Sequence, residues 1–261
     1  MEIIEKIKNK EIPRKKIIKS AIIAVIGIIV VIICLLHINS DYKYIFDFKL
    51  GGVVITGYKI DPLDTPTDFE IPSHIYGMRV KGIGKRAFYG YDFTKVTLPD
   101  GLVKIGNYAF EWCDRLEEIN IPDSIKIIGK GAFTNCHNIK SIYIPDGVTR
   151  ISAFTFNICY SLKEIRIPDS VESIGVGAFS SCRNLEEIKV PYGVELLNQD
   201  VFSGCSNLET VILPDTIVYM SPGGSSFRYC KNAVVIYKGV KYKVSDDKQM
   251  DLLYDAIYWL W

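Results

Sequence analysis

Phe88, Phe110, Phe133, Phe156, Phe179 and Phe202 recur at intervals of 22 and then 23 residues, and the residues around each recur with them. The unit reads Ile-Pro-Asp-x-Val/Ile-x-x-Ile-Gly-x-x-Ala-Phe-x-x-Cys-x-x-Leu-x-x-Ile-x-Ile-Pro and runs without interruption from about Ile71 to Tyr237. A fixed period of this length is the signature of a solenoid, in which one unit cannot bury its own apolar faces and must lean on its neighbours.

Within one unit, Ile142-Tyr143-Ile144 has an apolar step of two, so both isoleucines share one face of a short strand and Tyr143 takes the other. The pairs Val96/Leu98, Ile119/Ile121, Ile165/Ile167, Ile188/Val190 and Val211/Leu213 are equivalent. Stacked in register they predict one continuous parallel sheet. The Pro-Asp-Gly or Pro-Asp-Ser that follows is turn chemistry, with the aspartate able to bond nearby amides. From Gly129 to Cys136 the steps of three and one predict a single helical or 3₁₀ turn that drops Ala132, Phe133 and Cys136 inward. The six phenylalanines then form the core's spine, with Cys113, Cys136, Cys159, Cys182 and Cys205 one slot away.

The ends of such an array need covers. Tyr42 to Gly57 alternates around Gly51-Gly52 and reads as a hairpin. At the other end, Val234–Tyr237 and Val240–Tyr242 flank a Lys238-Gly239 turn, and Leu252, Leu253, Ala256, Ile257 and Leu260 recur at helical spacing as a lid. Ahead of all this, seven lysines and arginines between Lys6 and Lys19 precede an apolar stretch, the pattern of a signal anchor with the N-terminus in the cytoplasm and the repeats outside. A cleavable signal peptide is the rival reading. Cys34 would serve a lipid anchor poorly, because Ile33 stands where a small residue is needed. The expected organisation is a cytoplasmic basic tail (1–16), a transmembrane anchor (17–38), an N-terminal cap (39–70), repeats (71–232) and a C-terminal cap (233–261).

With these residues in hand, the unit resembles the BspA-like class of leucine-rich repeat. The five units Ile105–Pro122, Ile128–Pro145, Ile151–Pro168, Ile174–Pro191 and Leu197–Pro214 carry the pattern almost intact, and Ile83–Pro99 is a weaker copy. The resemblance implies an α/β, mostly β, leucine-rich-repeat solenoid with a parallel sheet on its concave face, here joined to an N-terminal transmembrane helix. It also implies a surface protein associated with adhesion or binding to other proteins, on a fold that is not itself catalytic. Departures are Thr155 for the inward alanine, Leu197-Asn198 and Met220-Ser221 for Ile-Gly, and extra residues around Ser221–Gly224.

Several chemistries are excluded as readings of the sequence. The net charge of +1 supplies no field for nucleic acid. Six periodic cysteines occupy one slot per coil, so their side chains run parallel rather than facing, which favours buried thiols over disulfides. No zinc-ligand spacing is present. Asp100, Asp123, Asp146, Asp169 and Asp215 form an acidic column, but without the ligand density that calcium requires. No catalytic motif appears, Glu117-Glu118 and Glu186-Glu187 point to opposite faces of a strand, and Ser225-Ser226 has no base nearby. Neither enzyme activity, metal nor cofactor is expected.

What remains is the outward row of the sheet: Thr97, Asn120, Tyr143, Arg166, Lys189 and Ile212, flanked by Glu164 and Glu187 among others. Tyr143 beside Arg166 sets two residue types enriched at binding hot spots side by side. The mixed charge suits a protein or cell-surface ligand. A scaffold role within the producing cell's own envelope, docked through Trp259-Leu260-Trp261 or the repeat edges, is the first alternative, and an enzyme accessory domain the second.

Overall fold

The computed structural model describes residues 41–64, 66–221 and 225–258. The apolar stretch 17–38 and the aromatic end 259–261 lie outside the described residues, and within them no helix is long and apolar enough to cross a membrane.

Each coil contributes a three-residue strand whose central residue points inward. Seven such strands stand among the described residues, Asp68–Glu70, Lys95–Thr97, Glu118–Asn120, Ser141–Tyr143, Glu164–Arg166, Glu187–Lys189 and Thr210–Ile212, and the four-residue Val234–Tyr237 continues them. Pairing is parallel and in strict register, so Ile142 meets Ile165 and Tyr143 meets Arg166. The ladder is not continuous, however. It falls into runs of three strands, two strands and then the last three with an antiparallel partner, lapsing between Glu118–Asn120 and Ser141–Tyr143 and again between Glu164–Arg166 and Glu187–Lys189. At these two steps a side-chain pair joins the coils instead, Lys140 to Glu117 at 2.6 Å and Lys163 to Glu186 at 3.1 Å.

A second parallel ladder, not anticipated from the sequence, runs through the Ile-Gly position. Two-residue strands Lys104–Ile105, Ile127–Ile128, Arg150–Ile151, Ser173–Ile174, Leu196–Leu197 and Tyr219–Met220 alternate outward and inward. They are too short for a period-two pattern to register in the sequence. The glycine that follows explains the ladder's strength. The amides of Gly106, Gly129 and Gly175 bond to the carbonyls of Ile83, Ile105 and Ile151 one coil away at 2.8–2.9 Å. A Cβ on Gly175 would lie 2.4 Å from the Ala153 nitrogen. At two of the three positions where the glycine is replaced the side chain takes over, the Ser152 hydroxyl donating to Ile128 O (2.7 Å) and the Asn198 amide to Ile174 O (2.7 Å), whereas at the third the Ser221 backbone amide still bonds to Leu197 O at 3.0 Å. Backbone pairing is lost at the first of these steps and reduced to one residue pair at the second. Gly175→Ala should therefore cost about 1–3 kcal/mol, as overpacking against backbone does. Gly175→Ser should cost less, since its hydroxyl can replace the lost bond. Chemical denaturation of both variants checks that order.

The expected single helical or 3₁₀ turn between glycine and cysteine is replaced by separate turns with i→i+3 bonds, such as Ala132 N to Gly129 O and Cys136 N to Phe133 O at 3.2 Å, and Ala132, Phe133 and Cys136 point inward as expected. Left-handed residues at two positions per coil break any helix there, Tyr108, Gly131, Phe154, Gly177 and Asp200 at one, Trp112, Asn135, Ile158, Ser181 and Gly204 at the other. The result is a run of turns in which alternate amides point to the next coil, as in Gly131 to Ala153 O, Phe133 to Thr155 O and Asn135 to Asn157 O, at 2.9–3.0 Å. Neighbouring carbonyls satisfy buried amides that one isolated turn could not. In the last coil, Ser225–Phe227 closes as a 3₁₀ turn. Two of the left-handed glycines also make room for a ring. A Cβ on Gly131 would sit 2.5 Å from Tyr108, and one on Gly177 2.7 Å from Phe154.

Inside, the rings of Phe88, Phe110, Phe133, Phe156, Phe179, Phe202 and Phe227 are fully buried or nearly so and stack coil on coil, with centroids 5.4–5.8 Å apart. Thr155, at the alanine slot, is buried but donates to Ser152 O at 2.7 Å, so its hydroxyl costs the core little. At the N-terminal end, strand Gly52–Tyr58 pairs in parallel with Met78–Ile83 and extends the second ladder. At the C-terminal end, Val234–Tyr237 pairs antiparallel with Val240–Lys243. The helix Asp247–Tyr258 follows, capped by Asp246, whose carboxylate accepts from the Gln249 amide (3.1 Å). Its inward stripe is Met250, Leu253 and Ile257, whereas Leu252, expected inward, is 60% exposed, because it stands on the helix flank away from that stripe.

Candidate functional site

The long sheet turns Thr97, Asn120, Tyr143, Arg166 and Lys189 to solvent, with Glu164 and Glu187 beside them. Tyr143 is 43% exposed. Register brings Arg166 alongside it, with the guanidinium carbon 5.6 Å from the ring centroid. Each side chain limits the other's rotamers, so less entropy is lost when a ligand settles on both. Tyr143, Lys163, Glu164, Arg166, Glu187 and Lys189 line a shallow groove of about 500 Å³. Lys163 is held by Glu186 and Lys140 by Glu117, whose carboxylate raises the Lys140 pKa. Arg166 forms no ion pair among the described residues. Its donors therefore face outward, in the planar fork that suits a carboxylate.

Thr97 and Asn120 belong to a separate groove with Lys95 and Glu118, which pair at 3.4 Å. The Asn120 amide is committed to the fold: its oxygen accepts from Leu98 N at 2.7 Å and its nitrogen donates to Leu98 O at 3.1 Å. The row is thus two grooves, and the one around Tyr143 and Arg166 presents an arginine that forms no ion pair among the described residues.

A second constellation stands at the turn edge, one residue after the cysteine slot. Asp114 accepts from or pairs with His137 Nδ1. The imidazole stacks on Tyr160 at 4.7 Å and 10°, and the Arg183 guanidinium covers the far side of that ring at 4.1 Å. Trp112, 47% exposed, meets His137 edge-on. Reading the column Asp114, His137, Tyr160, Arg183 down the aligned coils would have found it. No motif search along the chain could, because its members are 23 residues apart.

Cys113, Cys136, Cys159, Cys182, Cys205 and Cys230 are free and buried. Each thiol donates to the carbonyl of the phenylalanine one coil earlier, as Cys136 does to Phe110 O at 3.0 Å and Cys159 to Phe133 O at 3.2 Å. Burial pushes the Cys159 thiol up to about 12, and it raises Cys113, Cys136, Cys182 and Cys205 likewise. Because the thiolate is the nucleophile, these six should resist iodoacetamide at pH 8 in the native protein and react once it is unfolded. Mass spectrometry of alkylated peptides reads this directly, and native labelling at any of the six would contradict their packing.

The turn aspartates Asp100, Asp123, Asp146, Asp169 and Asp215 are exposed. The backbone turn from Pro145 O to Val148 N (3.0 Å) closes without their carboxylates. The neighbouring hydroxyls do the bonding between coils, Ser124 to Leu102 O and Ser170 to Val148 O. Among the described residues no three metal-ligating side chains converge. Ser226 is buried, with its hydroxyl on Asn198 O at 2.8 Å.

Comparison with known proteins agrees with this geometry. The family model for the BspA type leucine rich repeat region matches residues 81–209 in six copies. A T. pallidum leucine rich repeat protein (TpLRR) of known structure is similar over 84% of this chain and 94% of its own, at 27% identity and a TM-score of 0.69. A leucine-rich repeat protein from Bacteroides ovatus aligns over 75% of this chain and 80% of its own, at 19% identity and a TM-score of 0.47. A leucine rich cell surface protein from Faecalibacterium prausnitzii aligns over 84% and 96%, at 18% identity and a TM-score of 0.35. No curated protein sequence matches. The period, the parallel ladders and the six matched copies together show that residues 81–209 of the chain form a BspA type leucine-rich-repeat region.

Proposed function

We propose that this protein is a single-pass cell-surface receptor or adhesin, held in the membrane by residues 17–38 with its N-terminus in the cytoplasm, that binds a protein partner through the groove around Tyr143 and Arg166. The observation that carries the reading is the pair itself: an exposed tyrosine under an arginine that forms no ion pair among the described residues, on the two paired strands at the centre of the row. Such residues dominate interface energetics when they are pre-organised. The BspA type repeat region supports a protein-binding or adhesion role, and the basic segment before the apolar stretch supports the anchor and its orientation. The mixed signs around the groove suit a protein surface better than a uniformly charged one.

The test is capture. The detergent-solubilised full-length protein is immobilised and offered matrix-type foreign proteins on one arm and the producing cell's own solubilised envelope on the other, and retained proteins are identified by mass spectrometry. Retention of a foreign protein supports the adhesin reading. Retention of an envelope partner alone assigns a scaffold role instead.

A further inference from the structure

The second ladder carries a row of cations of its own. Lys81, Lys104, Lys126 and Arg150 come one from each of four successive coils and alternate between two adjacent positions, Lys81 and Lys126 standing one residue before the position of Lys104 and Arg150, with Lys85 and Lys130 alongside just past the ladder. Among the described residues none of the six forms an ion pair. The Lys81 ammonium rests on Gly101 O at 3.3 Å, and Lys130 stands over the Phe154 ring at 5.4 Å. Asp100, Asp123 and Asp146 border the row at the turns. Beyond the fourth coil the sign reverses, with Glu172 and Glu195 at the slot that Lys126 fills. The long sheet differs, since there each cation has a glutamate in its own coil or the next. A face that carries unpaired cations over half its length and then stops is arranged for a partner of opposite sign, and an ordinary solvated surface would mix them.

We propose that this row binds an extended anionic polysaccharide. Coils stack at about 4.8 Å, so the row offers one cation per coil, staggered between two adjacent positions, at a step close to the advance of one sugar ring in an extended chain. A linear polymer with acidic groups along it can meet all four coils at once and releases counterions as it does so. Single-stranded nucleic acid is the less suitable polyanion, because between successive cations the row holds Val103, Ile127 and Thr149, and the one ring noted at its edge, Phe154, already carries Lys130. The face is distinct from the groove around Tyr143 and Arg166, so each can fail without the other.

The experiment uses full-length protein in detergent and fluorescent heparin as probe, with neutral dextran and an oligothymidylate as comparisons, read by anisotropy across a sodium chloride series. Wild type should bind heparin but not dextran. The triple variant Lys104→Glu, Lys126→Glu and Arg150→Glu should lose at least about tenfold in affinity, with a salt slope shallower by roughly two, at about 0.7 for each contact removed. A control with the same charge change elsewhere, Lys231→Glu, Lys241→Glu and Lys248→Glu, should bind nearly as wild type does. If the glutamate triple does not fold, as judged by its melt, the glutamine triple reads the same slope. Undetectable heparin binding by wild type, an equal loss in the control, or oligothymidylate bound as tightly as heparin each overturn the proposal.

Discussion

Replacing Phe156 with alanine lowers the unfolding free energy by about 3–5 kcal/mol, as removal of a buried aromatic ring generally does. The ring is inaccessible to solvent and lies between Phe133 and Phe179, each 5.6 Å away at angles of 1° and 9°. Its loss removes apolar burial and two stacking contacts, and leaves a void that the coil cannot close, because its backbone is tied on both sides. The Phe156 amide bonds to Ala178 O at 2.9 Å, and its carbonyl accepts the Cys182 thiol at 3.2 Å. An array is held largely by interfaces between neighbours, so a defect in a central coil weakens two of them. Urea denaturation followed by circular dichroism checks this, and an unchanged midpoint would show that the ring column is not what holds the coils.

The second large effect is functional. Tyr143→Ala combined with Arg166→Ala should reduce capture of the partner by at least about 30-fold, the equivalent of one hot spot lost at about 2 kcal/mol. Both side chains are outward, so the melt should scarcely move. Thr97→Ala, in the other groove, should leave capture unaltered. Equilibrium binding with the partner from the capture experiment measures all three. Equal affinity of wild type and double variant would remove this groove as the binding site and leave the turn edge around His137, Tyr160 and Arg183 to be tested next.

The inward positions were legible in the linear chain because inwardness recurs at a fixed period, and apolar residues at that period have nowhere else to go. The strands of the long sheet were legible for a related reason: Ile142-Tyr143-Ile144 alternates over just enough residues to reveal its period. The strand Ile127–Ile128 is too short for that, and the turns from Gly129 to Cys136 imitate a helical step while using left-handed residues that break a helix. The discontinuities of the long sheet were equally invisible, since every unit spells its strand alike.

By itself, then, the sequence determined that the chain coils with a 23-residue period, which side chains form the core, and which residues stand outward on the long sheet. Only the tertiary structure decided how successive coils answer one another: Ser152 replacing a backbone bond with its hydroxyl, Gly131 yielding space to Tyr108, Arg166 settling on Tyr143, and His137 on Tyr160. The physical reason is that inward burial is a property of one coil and its period, whereas each of these contacts joins residues a full coil apart in sequence and about 5 Å apart in space.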